Sequence, residues 1–123
     1  MLQGIKDKGI KIGLISNCYS EEAKIIRESV LSKFFDDVCL SYEEHMKKPD
    51  LEIYRRMMDK LGVTASECLY LGDGGSNELV AATEIGMRAM QAAWYQKPGH
   101  PYQIGILENY INLMDPMDVF SHL

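Results

Sequence analysis

A chain of 123 residues with 46% apolar and 25% charged residues has the composition of an ordinary globular domain, able to bury about two-thirds of its unfolded surface, and is not disordered, collagen-like or disulfide-dense. The net charge of -5 argues against nucleic-acid binding, which needs a basic surface, and gives no attraction to an anionic membrane. No apolar run approaches the roughly 20 residues of a membrane span and the N-terminus has no leader-like stretch, so the expected compartment is the cytoplasm.

In chain order, Ile10 to Ile15 is a β-branched apolar run between Gly9 and Ser16-Asn17, which predicts a buried strand. Ser20, followed by Glu21 and Glu22, predicts a helix N-terminus, with Ala23, Ile26, Val30 and Phe34 as the apolar face. Residues 37–41 predict a second strand running into the polar stretch 42–45. Pro49 suits the first turn of a helix whose apolar face is Leu51, Ile53, Tyr54, Met57, Met58 and Leu61, and Gly62 supplies its stop.

Residues 64–67 have capping-box spacing for a short turn before a third strand, 68–71. Gly72 to Gly75 forms a tight loop, residues 76–85 a third helix ending at Gly86, and Arg88 to Trp94 a fourth strand. This alternation predicts an α/β fold with a mostly parallel sheet flanked by helices, and such sheets bind ligands beyond the carboxyl ends of their strands. A single domain over 1–123 is expected, with an irregular tail from about residue 98 and a short final helix over 117–123.

Three cysteines without CxxC pairing suggest neither a disulfide framework nor a zinc knuckle. Cys39 and Cys68 read as small core residues and Cys18 as a loop residue. His45, His100 and His122 show no metal-ligand spacing and are given no role.

Three polar clusters fall where such folds place their sites. Ser16-Asn17, directly after the first strand, can hold an anionic oxygen or form an ordinary turn. Lys48, before Pro49, suits a phosphate or carboxylate partner near a helix N-terminus, or is one more surface lysine like Lys47. Gly72-Asp73-Gly74-Gly75-Ser76-Asn77-Glu78 offers an acid at a strand end and further oxygens one turn later, either a magnesium site or a glycine turn capped by Ser76 or Asn77. Neither GxGxxG nor GxxxxGK[ST] occurs.

Taken together, strand then Ser16-Asn17, Lys48-Pro49-Asp50 opening a helix, and strand then Gly72-Asp73 resemble the second, third and fourth motifs of haloacid dehalogenase-like hydrolases. The resemblance runs from about Gly9 to Trp94. It implies a three-layer Rossmann-like fold in which Ser16 and Asn17 bind the transferring phosphoryl group. It also implies that Lys48 neutralises the charge of that group and of the nucleophile, Asp73 binds Mg2+, and Asn77 or Glu78 supports the metal. The implied substrate is a phosphorylated small molecule.

Family members begin with a strand ending in Asp-x-Asp, whose first aspartate is the nucleophile, followed by a substrate-selecting cap. No such motif is present: Asp36-Asp37 precedes a strand and Asp115 and Asp118 lie in the tail. The missing strand would lie between the strands at 10–15 and 68–71. The gap is therefore expected to be closed by direct pairing of those two strands, by a complementing chain, or by self-association.

The leading expectation is a phosphatase-type core that is inactive as this chain alone. A non-catalytic module binding a phosphate ligand or a partner is the alternative. A receiver-like signalling domain ranks last, because it needs an acidic pair where Ser16-Asn17 stands.

Overall fold

The first apolar run contributes only its second half to a sheet, because an acidic side chain captures the backbone ahead of it. In the computed structural model, which describes residues 1–94, 96 and 104–123, β1 is Gly13–Ser16. The Asp36 carboxylate accepts the Ile12 N–H at 2.6 Å and the Ile12 carbonyl accepts the Asp36 N–H at 2.7 Å. Lys6, in the short helix α1 (Leu2–Asp7), reaches the same carboxylate at 2.5 Å. Residues 10–12 are thus held by this clasp and not by a ladder.

The chain divides into two compact units, Met1–Thr64 and Ala65–Leu123. In the first, β1 pairs in parallel with β2 (Asp37–Leu40), with Gly13 opposite Asp37 and Ser16 opposite Leu40. Helix α2 (Ser20–Glu28) connects them, and its first turn is closed by the Glu22 carboxylate accepting the Tyr19 N–H at 3.2 Å, so Tyr19 and not Ser20 is the cap residue.

The apolar face expected to run on to Val30 and Phe34 is interrupted. Ser29 turns extended, its hydroxyl accepts the Leu31 N–H at 3.1 Å, and a 3-10 turn over Val30–Phe34 follows, leaving Val30 83% exposed. A serine hydroxyl competing for backbone donors diverts the helix there. Ser41, expected to end the strand, instead opens the one-turn helix α3 (Ser41–Glu44), which takes up most of the polar stretch expected at 42–45.

Helix α4 (Leu51–Leu61) buries Ile53, Tyr54 and Met57, as its 3.6-residue periodicity predicts, and ends at Gly62 in the left-handed region. It packs directly over β1: a Cβ on Gly13 would meet the Met57 sulfur at 2.5 Å. Pro49 is not in the first turn. Asp50 is the cap residue and its N–H closes a turn onto the Lys47 carbonyl at 2.9 Å, so Lys48 stands three residues before the helix. Glu44, on α3, binds Arg56 and Lys60 of α4, both at 2.7 Å, locking that helix beside β2. Burial pushes the thiol of Cys39, on β2, above its ordinary pKa and leaves it an inert core group.

The second unit opens with a 3-10 turn (Ala65–Glu67) and builds a parallel sheet of β3 (Leu69–Gly72), β4 (Arg88–Ala92) and β5 (Ile111–Leu113) in that order. Helix α5 (Glu78–Glu84) packs Leu79, Ala81 and Ala82 into its core. Strand β5 falls in the segment expected to be irregular, and a 3-10 turn (Pro116–His122) follows it, near the expected final helix. The part of that tail at 97–103, including His100, lies outside the described residues. Among the described residues β1 and β3 belong to separate sheets, one in each unit. No helix of the described residues is long and apolar enough to cross a membrane.

The clasp at Asp36 makes stability depend on pH. The Lys6 ammonium, then the Ile12 N–H, hold its carboxyl below the usual carboxylate range. A depressed folded-state pKa contributes stability that is complete above the unfolded value near ~3.9 and is lost as pH falls through the folded value. Asp36→Asn is therefore expected to lower the unfolding midpoint at pH 7, with the difference from the parent chain shrinking below about pH 4, as denaturant titrations across that range would show.

Candidate active site

The first cluster is assembled at the carboxyl end of β1 by side chains that bond to backbone. Ser16 is the last residue of the strand and half-buried. Asn17 follows, and its amide makes a reciprocal pair with one residue: its oxygen accepts the Lys48 N–H at 2.8 Å and its nitrogen donates to the Lys48 carbonyl at 3.0 Å. A side-chain amide offers a donor and an acceptor side by side, so it can bind the N–H and C=O of one residue as a neighbouring strand would. The Lys48–Pro49 peptide bond within this segment is cis.

A second tie lies next to the first. The Ser41 hydroxyl accepts the Cys18 N–H at 2.8 Å and donates to the Cys18 carbonyl at 3.1 Å. The loop after β1 is thus fastened to the ends of β2 and of the segment preceding α4. Asn17 was expected to bind phosphate beside Ser16; here its amide is engaged with Lys48 and sets where that lysine's side chain begins. Cys18, Tyr19, Ser41, Tyr42, His45 and Lys47 line an open groove on this side of the unit.

The second cluster surrounds the loop after β3. Asp73 is half-buried, and its Oδ1 accepts the Gly75 N–H at 2.8 Å, a short-range turn that orients the carboxylate. Gly74 has φ 98°, and Ser76 and Asn77 are both left-handed at φ 56° and 51°, so the chain coils tightly before α5 begins.

Glu78, at the start of α5, is 4% exposed. Its carboxylate accepts the Tyr70 hydroxyl at 2.6 Å and the Gly74 N–H at 2.9 Å. It lies so close under the strand that a Cβ on Gly72 would approach it to 2.5 Å, which explains the glycine there. A buried acid with two donors is a brace of the loop, and its position beside the helix N-terminus favours the charge. Asn77 is exposed.

Magnesium takes six oxygen ligands, usually several waters with one or two carboxylates. Asp73, a carboxylate at the end of β3, is of the ligand type that such an ion takes. The rest of the set is not assembled here: among the described residues no group of three or more His, Cys, Asp or Glu could hold a metal ion. Glu78 supports Asp73 through the loop backbone.

One residue of this cluster is absent from the sequence reading. Gln91, on β4, is fully buried and donates to the Asp73 carbonyl at 3.0 Å. A lone amide between Met90 and Ala92 in an otherwise apolar strand is the signal that could have found it, because buried polar groups need partners.

Residues 1–92 match the sequence profile described as Haloacid dehalogenase-like hydrolase. Among curated proteins, a glyceraldehyde 3-phosphate phosphatase of Methanocaldococcus jannaschii is 34% identical over 88 residues, 70% of this chain and 38% of that protein. Among solved structures, a HAD phosphatase of Thermococcus onnurineus superposes with a TM-score of 0.80 at 20% identity, covering 98% of this chain and 54% of that one. A HAD family enzyme of Bacteroides thetaiotaomicron in complex with magnesium and inorganic phosphate gives 0.67 at 22% identity, covering 83% and 54%. Both superpositions establish a shared fold. The chain spans well under half the length of the curated relatives it matches.

The brace at Glu78 should be visible in stability. Tyr70→Phe removes a hydrogen bond to a buried carboxylate and is expected to cost about 1.5–3 kcal/mol in urea unfolding. Gly72→Ala is expected to cost at least as much, and combining it with Glu78→Ala, which vacates the space, should cost less than the sum of the two changes made singly.

Proposed function

The chain belongs to the haloacid dehalogenase-like hydrolases, a family of phosphatases among its relatives, and from that premise we propose that it carries the phosphate-holding and metal-supporting residues of a magnesium-dependent phosphatase. The observation that carries this reading is the paired hydrogen bond between the Asn17 amide and the Lys48 backbone. It joins the loop after Ser16 to the lysine with no need of any other segment, which is what a site built to hold a phosphoryl group requires of its charge-neutralising residue.

In this reading the Ser16 hydroxyl donates to a phosphoryl oxygen and the Lys48 ammonium offsets charge on the phosphoryl group and the attacking carboxylate. Asp73, fixed by Gly75, takes the magnesium ion, which supplies the remaining charge neutralisation when bound. Displacement at phosphorus forms one oxygen–phosphorus bond and breaks the ester oxygen–phosphorus bond. These residues hold and neutralise the group while that happens; they neither attack nor transfer the proton. The attacking carboxylate and the general acid are assigned to residues outside these 123, because no Asp-x-Asp follows a strand within them. The substrate class is a small phosphorylated metabolite, in keeping with the glyceraldehyde 3-phosphate phosphatase among the relatives.

Among the described residues strand β1 has a ladder partner on one side only, β2, and three of its four residues are half-buried. An added parallel strand from a complementing segment or a second copy suits that edge.

The test is magnesium-dependent hydrolysis of an aryl phosphate by the 123-residue chain, alone and with a peptide carrying an Asp-x-Asp strand of a relative. No turnover alone, and turnover with the peptide that Asp73→Asn lowers by about 100-fold or more, is the expected result. Turnover by the chain alone, lost in Asp73→Asn, would place a nucleophile within these residues and overturn the division proposed here. Phosphate binding lost in Lys48→Ala, with no turnover under any condition, would favour a non-catalytic binding module.

A further inference from the structure

Gln91 is fully buried and makes four side-chain hydrogen bonds. Its amide nitrogen donates to the Asp73 carbonyl at 3.0 Å and the Gly105 carbonyl at 2.7 Å. Its amide oxygen accepts the Leu107 N–H at 2.9 Å and the Asn112 side-chain N–H at 2.7 Å. A primary amide has two N–H groups and two acceptor lone pairs, and all are used. The orientation follows from the partners, since a rotated amide would set oxygen against two carbonyls and nitrogen against two donors.

Asn112 fixes the hub in turn, its nitrogen also donating to the Leu107 carbonyl at 3.1 Å. Leu107 closes over the loop from the other side: a Cβ on Gly74 would touch its side chain at 2.5 Å. Segment 104–113 is therefore linked to the Asp73 carbonyl through the Gln91 side chain and packs on the neighbouring Gly74, although the family match ends at residue 92.

We infer that Gln91 is a positioning residue for Asp73, held in register by Asn112, so that the segment after β4 sets where the Asp73 carboxylate points. This rests on the reading of Asp73 as the metal-binding carboxylate. No other side chain serves. Glutamate keeps the two acceptor roles and loses both donor roles when ionised, leucine loses all four, and asparagine is one methylene too short.

The experiment compares the full chain with Gln91→Glu and with the milder Asn112→Ala by amide hydrogen exchange and by line broadening with Mn2+. The Gly75 amide, bonded to Asp73 Oδ1, reports on the carboxylate. The Gly74 amide, bonded to Glu78, is the control within the same loop.

A positioning role predicts that Gly75 exchanges faster by about tenfold in Gln91→Glu, beyond any change at Met90 in β4, with a smaller effect of the same sign in Asn112→Ala. It also predicts weaker Mn2+ broadening at the 72–75 amides in both variants. Equal acceleration of Gly75, Gly74 and Met90 would mean that Gln91 only stabilises the unit, and would overturn the inference. Should Gln91→Glu fail to fold, Asn112→Ala carries the same comparison. Broadening unaffected by Asp73→Asn would refute the metal reading, while the exchange ratios would still decide the role of Gln91.

Discussion

A carboxylate buried to 4% exposure beneath a strand end dictates the shape of the second unit. An ionised acid in that position is costly unless its oxygens find donors, and Glu78 finds them in the Tyr70 hydroxyl and the Gly74 amide. To deliver that amide the chain must double back immediately after β3. The left-handed Gly74, Ser76 and Asn77, the absent Cβ at Gly72 and the late start of α5 all follow from this requirement. Asp73 lies in this turn, between Gly72 and Gly74, with its backbone constrained by Glu78 at the next residue and by Gln91 at its own carbonyl.

The first unit solves the same problem with neutral groups. The Asn17 amide and the Ser41 hydroxyl each present a donor and an acceptor to the backbone of one residue in a neighbouring segment, at Lys48 and Cys18. Bonds between a side chain and backbone fix main-chain position at Lys48 and Cys18 without using the side chains of those two residues.

Features governed by local periodicity could be read from the sequence. Ile53, Tyr54 and Met57 announce the buried stripe of α4, Gly62 its end, and the alternation of elements the parallel pairing. Ser16 ends β1 and Asp73 directly follows β3, where the alternation of elements puts them. Departures come where a local hydrogen bond outbids the pattern: the Asp36 carboxylate shortens β1, the Ser29 hydroxyl cuts α2, and the backbone turn from Asp50 to Lys47 displaces Pro49 from the helix. Strand β5 lies hidden because Ile111-Asn112-Leu113 is too short to carry a period, and its place depends on pairing with β4. Gln91 is missed for a related reason, since its partners are backbone groups 14 to 18 positions away whose meeting no local pattern encodes.

The parallel ladder between β4 and β5 also bears on where this protein can be cut. Met90, Gln91 and Ala92 are paired with Ile111, Asn112 and Leu113, and Leu113 and Val119 are each 2% exposed within the same core. The recognisable family sequence stops at residue 92, in the middle of that core. A boundary of sequence similarity is therefore not a boundary of folding here. A chain shortened at Ala92 would present β4 as a bare, apolar sheet edge, the kind of surface from which aggregation begins.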